Sequence, residues 1–299
     1  MKKPEFLKPN DLVAIVCPAS FAFASIQPAI DLLESWGLRV WVGETVEAKL
    51  NQFAGSDELR AKDFQMALDN PEVKAIFAAR GGYGTVRIID NIDFTQWAKN
   101  PKWIIGFSDI TVLHSHIAAN FDICTIHGQM PLTMPEGTPP SLETLRKILF
   151  NTEVVNYHYQ SQTEGINGTA VGKLIGGNLA LLASLVGSQS DQDYKDSILF
   201  LEDVGEAYYN VDRMMWTLLR AGKLNHIKGL IIGGFTSMKD SDPSFGMTIR
   251  DIMLEKIQHL SIPLAFDFPA GHIENNHALV FGENVKLEVQ NKEIKLDYI

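Results

Sequence analysis

Residues Trp103–His116 read "WIIGFSDITVLHSH". A run of bulky apolar residues reaches Gly106, breaks at Ser108 and Asp109, and resumes with a spacing that suits a helix. Strand, tight turn and helix form the unit from which parallel sheets are wound. The unit also puts Ser108 beyond the C-terminal end of a strand, where such sheets collect ligands.

Working outward, short apolar runs alternate with amphipathic segments from Leu12 to Phe150. "LVAIVC", "LRVWV", "VKAIFAA" and "KWIIGF" predict strands, and "SIQPAIDLLESWG", "SDELRAKDFQMALDN" and "TVRIIDNI" predict helices between them. Gly37 stands where a helix C-cap belongs, and Ser56 or Asp57 where an N-cap belongs. The expectation is α/β, with an N-terminal parallel-sheet domain over 1–155. The stretch "NTEVVNYHYQSQTEGING" (151–168) is polar, with no run long enough to bury a face, and reads as the domain boundary. Beyond it, "GKLIGGNLALLASLVG", "SILFLEDVGE", "AYYNVDRMMWTLLRAG" and "KGLIIGGF" predict a smaller domain of mixed α/β character over 168–299. Within it, "IGGN" (Gly176–Asn178) reads as a turn leading into a helix.

Composition narrows the function. The chain has 299 residues and a net charge of -10, so polyanions are repelled on average and neither nucleic acid nor an anionic membrane is expected as a partner. The two cysteines, Cys17 and Cys124, lie in apolar runs and are too few for a disulfide scaffold, which fits a reducing cytoplasm. Lys2, Lys3 and "LVAIVCPASFAFA" faintly resemble a signal peptide, but Asp11 and Pro18 bound a short run that reads better as a first buried strand. No stretch approaches the length of a membrane helix.

Ser108 invites two readings. Serine or aspartate before an apolar helix is an ordinary N-cap. A serine on a strand-to-helix turn, beside free helix N–H groups, is also the geometry of a nucleophile elbow. The pattern Gly106-Phe107-Ser108-Asp109-Ile110 keeps the first glycine of G-x-S-x-G and loses the second. A nucleophilic serine needs a base and a group that orients the base. His114 and His116 lie two residues apart on the following helix, on different faces. His272, after Pro269 and Gly271, reads as a loop residue projecting from a scaffold. Glu202 and Asp203 close an apolar strand, where carboxylates serve as caps or as catalytic groups. Glu206 and Asp212 fit solvated or capping roles. "ARGGYGTVR" lacks the third glycine of a dinucleotide fingerprint and the lysine of a P-loop, but its glycines allow backbone N–H groups to approach a ligand. His272, Glu274 and His277 are spaced H-x-E-x-x-H, one residue too wide for a shared helical zinc face.

Seven blocks in order resemble the LD-carboxypeptidase family of serine peptidases, which also contains the microcin C immunity peptidases. They are "LKPNDLVAIVCPAS" (7–20), "ARGGYG" (79–84), "IIGFSDIT" (104–111), "IHGQM" (126–130), "GKLIGGNLALL" (172–182), "FLEDVGE" (200–206) and "PAGHIENN" (269–276). The resemblance implies a Ser-Glu-His triad of Ser108, Glu202 and His272, with the serine on the N-terminal domain and the other two on the C-terminal domain, facing each other across a cleft. It implies an oxyanion hole made by the Asp109 N–H and one from the glycine turn, for which Gly82 is chosen over Gly81. It implies no metal and no organic cofactor.

The implied reaction is cleavage between an L-configured centre and a terminal D-residue, releasing D-alanine from murein tetrapeptide in cell-wall recycling. That substrate carries a free carboxylate, which needs a cation; Arg80 and Arg213 are candidates, although either also suits an ordinary ion pair. Hydrolysis of a peptidyl-nucleotide antibiotic, as in the immunity peptidases, is the alternative within the family, and a murein-peptide binding module the alternative outside enzymes. A homodimer stays open.

Overall fold

The computed structural model describes residues 1–299. In chain order the elements are β1 (Leu12–Val16), α1 (Gln27–Ser35), β2 (Arg39–Val42), α2 (Asp57–Asp69), β3 (Val73–Ala78), α3 (Thr85–Ile88), β4 (Trp103–Gly106), α4 (Thr111–Asn120), β5 (Thr125–His127) and α5 (Pro139–Phe150). They continue with β6 (Tyr157–Gln160), β7 (Gly168–Asn178), α6 (Leu179–Ser184), β8 (Ser197–Val204), α7 (Tyr208–Arg220), β9 (Gly229–Thr236), α8 (Ile249–Ile257), β10 (Leu264–Ala265), β11 (Leu279–Phe281), β12 (Asn284–Gln290) and β13 (Glu293–Tyr298).

The expected strands and helices of the first half form where their apolar runs and caps lie. Ser56 caps α2 by accepting the Leu59 N–H at 3.2 Å, and Gly37 follows α1 with φ +85°. The segment 85–92 is shorter as α-helix than its pattern suggests: α3 is followed by a 3-10 turn over Ile89–Asn91. The first sheet has the order β11-β5-β4-β3-β1-β2, with β1 to β5 all parallel. Its two faces are covered by separate apolar clusters, as a doubly wound sheet requires.

The second sheet, β10-β9-β8-β7-β12-β13-β6, is mixed: β7 to β10 run parallel, and β12, β13 and β6 add antiparallel strands. Three features differ from the sequence reading. The polar stretch 151–168 contributes β6, an edge strand paired with β13, because an edge strand needs only one buried neighbour and not an apolar run. Gly176–Asn178 is not a turn but the end of β7, paired with Phe200–Glu202 of β8. A side chain at Gly176 would run into the Phe200 carbonyl, so the glycine allows close strand contact. Finally, β11 leaves the second half of the chain and pairs antiparallel with β5 at the edge of the first sheet. That crossing stitches the two sheets together, with Phe281 and Leu279 packed against Phe200 of β8.

Candidate active site

Ser108 stands two residues past the end of β4, at the start of a 3-10 turn that leads into α4. Its φ is +63°, the left-handed region that a β-carbon disfavours, at a cost of about 1–3 kcal/mol. Gly106 is required two residues earlier, since a Cβ there would lie 2.8 Å from Cγ1 of Ile110. Ile110 occupies the position of the missing second elbow glycine and packs into the space that Gly106 leaves. The Ser108 hydroxyl caps no helix N–H; it lies 3.1 Å from His272 Nε2.

His272 reaches this serine from the loop between β10 and β11. Its Nδ1–H donates to Glu202 Oε2 at 2.6 Å, which leaves Nε2 to accept the Ser108 hydroxyl hydrogen. Glu202 is fully buried near the C-terminal end of β8. Two backbone devices allow the approach. Next to Glu202 the β8–β9 register slips between Leu201 and Asp203, and the Gly234 N–H donates to the Ala270 carbonyl at 2.9 Å, docking the histidine loop on β9. Gly271, at φ +111°, has no side chain where a Cβ would meet Glu202 Cβ at 2.8 Å. Burial disfavours a charged imidazole at His272, but the charge and hydrogen bond of Glu202, with Asp203 behind, outweigh it and raise its pKa above the ordinary value.

Glu202 and Asp203 are consecutive strand residues and so face opposite sides of β8. Glu202 turns to His272, whereas Asp203 accepts the Asn178 side-chain amide and the Ala180 N–H, both at 3.0 Å. The Asn178 N–H in turn donates to the Thr111 hydroxyl, at the start of α4, at 3.0 Å. A Cβ on Gly177 would collide with the same threonine at 2.5 Å from its Oγ1. Asp203 thus secures the joint between β7 and the serine's helix, and burial pushes its pKa up to about 6. The adjacent acids signal one carboxylate at this edge, not two with separate tasks.

The glycine turn packs on the serine. A Cβ on Gly81 would lie 2.8 Å from Ser108 Cβ, 3.0 Å from its Oγ and 3.2 Å from the Asp109 nitrogen. The N–H groups of Gly81 and Gly82 donate to no protein acceptor. The turn is held by both poles of one peptide group: the Thr85 N–H donates to Asp109 Oδ2 at 2.8 Å, and the Gly84 carbonyl accepts from Arg60 Nη1 at 2.9 Å. Both charged groups are buried, and Arg60 is paired with Asp57. Burial raises the Asp109 pKa against the opposing hydrogen bonds from Thr85. Arg60 lies inside an otherwise ordinary amphipathic helix pattern, and nothing in that pattern marks it as buried.

The remaining candidates lie elsewhere. His114 Nε2 is bonded to the Gly106 carbonyl at 2.9 Å, and His116 Nδ1 to Ser190 Oγ at 2.9 Å; both are structural. His277 stacks edge-on against Tyr157, and His272, Glu274 and His277 do not converge as a ligand set. Glu206 accepts from Asn210, and Asp212 pairs with Lys256. His127, buried between Phe107 and Phe200, belongs to the aromatic packing under His272.

Residues 13–128 match the LD-carboxypeptidase N-terminal domain, and residues 171–287 match the LD-carboxypeptidase C-terminal domain. The chain is 32% identical over 286 residues to a murein tetrapeptide carboxypeptidase of Pseudomonas aeruginosa, covering 92% of each protein. The crystal structure of a muramoyltetrapeptide carboxypeptidase from Oxalobacter formigenes superposes with a TM-score of 0.87 at 30% identity, covering 96% of this chain and 98% of that one. The microcin C7 self-immunity protein MccF, solved with glutamyl sulfamoyl guanosine, gives the same TM-score of 0.87 at 20% identity, covering 98% of both chains, and shows a shared fold.

Proposed function

The chain belongs to the LD-carboxypeptidase family, and we propose that within it the protein is a serine peptidase that releases the terminal D-alanine of murein tetrapeptide. The observation that carries this reading is the hydrogen-bonded line Glu202–His272–Ser108, whose successive members lie 70 and 164 residues apart in sequence. The names of relatives at about 30% identity favour the murein substrate over a peptidyl-nucleotide, since the likeness to MccF, at 20%, extends to the fold alone.

In this mechanism Ser108 Oγ attacks the carbonyl carbon of the bond before the terminal residue as its proton passes to His272 Nε2. Glu202 holds the imidazole through Nδ1–H and stabilises the imidazolium that forms. The carbonyl oxygen becomes an oxyanion, for which the Asp109 N–H and the Gly82 N–H, the latter without a protein acceptor, serve as donors. His272 then protonates the departing amine, leaving an ester on Ser108, and activates the water that hydrolyses it.

Incubation with L-Ala-γ-D-Glu-meso-diaminopimelate-D-Ala, followed by mass spectrometry, tests the reading. Release of D-alanine by the natural chain and not by Ser108→Ala is expected. Turnover of a peptidyl-nucleotide without turnover of the tetrapeptide would move the substrate, and tight binding without turnover of either would leave a binding module.

A further inference from the structure

The sequence leaves the partner of the substrate's free carboxylate open between two arginines. On the proposed reading of the site as a carboxypeptidase, we infer that Arg80 binds the α-carboxylate of the substrate's last residue and so restricts cleavage to the chain end.

Arg80 is half-buried and begins the turn that packs against the serine. Gly81 faces Ser108, and a Cβ on the next residue, Gly82, would lie 3.5 Å from Arg80 Nη2. The serine therefore lies against one glycine of the turn, and the guanidinium, with Ser20, beside the next. The side chain is pre-positioned: Nη1 donates to the Phe21 carbonyl at 3.1 Å, and the guanidinium lies 4.8 Å from the centre of the Phe23 ring, which is 66% exposed. Its second nitrogen edge is left free of protein acceptors, and a planar fork of N–H groups matches a carboxylate.

The charge is also uncompensated. Its neighbours at this sheet edge, Arg60 and Arg87, both pair with Asp57, whereas Arg80 forms no ion pair. Burial lowers the Arg80 pKa, and the only group opposing that is the Cys17 thiol, itself pushed up to about 12 and hence neutral. A half-buried cation without an anion is an unfavourable arrangement in the empty protein, and an arriving carboxylate removes it. Arg213, the other candidate, is exposed on α7, lying 5.3 Å from the Tyr209 ring centre, and has water for a partner.

The test compares tetrapeptide ending in D-alanine with the same peptide ending in D-alaninamide, which keeps the scissile bond and removes the charge. The natural chain is expected to prefer the acid in kcat/KM, and Arg80→Met to reduce the acid-to-amide ratio about 10- to 100-fold, the range for a hydrogen bond to a charged group. Arg80→Lys, which keeps the charge without the fork, is expected to fall between. Equal losses on both peptides, or an unchanged ratio, would overturn the inference and leave the proposed function standing. Affinities of both peptides for Ser108→Ala, measured by calorimetry, decide the matter without turnover. Tighter binding of the acid supports the carboxylate site even if the natural chain hydrolyses neither peptide, a result that would sink the proposed reaction. Equal affinities, or no binding, overturn the inference.

Discussion

At the edge of the first sheet Ser108 is held by backbone, with a left-handed φ, Gly106 beneath it and Gly81 pressed against its β-carbon. At the edge of the second sheet Glu202 and His272 are held by a side-chain hydrogen bond of 2.6 Å, made possible by the absent side chain of Gly271. One edge fixes a position and the other fixes a charge and a proton. Substitutions at the first should therefore act on geometry, and substitutions at the second on pH dependence.

The largest expected effect is at Ser108, the proposed nucleophile. Ser108→Ala should reduce D-alanine release by at least about 10⁴-fold, because removing the attacking group leaves only binding and oxyanion stabilisation. Circular dichroism and the melting temperature should hardly change, since the hydroxyl caps no helix; a large loss of stability would assign the serine a structural task.

Glu202→Gln sharpens the contrast. It should lower kcat/KM by roughly 10³- to 10⁴-fold by losing the imidazolium's counter-charge and the correct tautomer. His272 must be neutral to act as base, and its pKa lies above the ordinary 6.5. Activity of the natural chain should therefore rise with pH along a limb displaced above that of a free imidazole, and in Glu202→Gln the limb should move to lower pH. The same linkage makes the His272–Glu202 pair stabilising at pH below the unfolded imidazole value, with that contribution lost as pH rises through the raised value. The melting-temperature gap between the natural chain and Glu202→Gln should thus narrow from pH 6 to pH 9, and a constant gap would speak against a charged pair.

Gly81 belongs to the serine's edge and Gly271 to that of the Glu202–His272 pair. Gly81→Ala and Gly271→Ala both insert a Cβ at 2.8 Å from the Cβ of a site residue. Each should cost about 100-fold in kcat, the order expected from a displacement near 1 Å. Gly271→Ala should also lower the melting temperature, because its φ of +111° is strained for alanine. If Gly81→Ala moved the pH profile instead of its height, the division between position and charge would fail.

The smallest effect is expected behind the elbow. Asp109→Ala removes the acceptor of the Thr85 N–H and should destabilise the fold by about 1–3 kcal/mol in urea unfolding, with a more modest fall in kcat.

How much of this was legible in the sequence depends on distance along the chain. The strand-turn-helix around Ser108 is local, so its apolar periodicity and Gly106 reveal it. The end of β8 is visible too, as a carboxylate pair after an apolar run. What joins these edges is not local. His272 is singled out only by the family resemblance, since a lone loop histidine carries no periodicity. The return of β11 to the first sheet and the pairing of polar β6 with β13 are set by tertiary partners that a short segment does not encode. Gly176 and Gly177 look like a turn because glycine usually signals one. Here they sit within β7 because a neighbouring carbonyl and Thr111 leave no room for a side chain.

Covalent labelling reports whether a histidine docked on one sheet activates a serine at the edge of the other. Intact-protein mass spectrometry of the reaction with a fluorophosphonate should show one adduct per chain, on the peptide containing Ser108, with the rate collapsing in His272→Ala. Labelling at another residue, or an undiminished rate without His272, would contradict that activation.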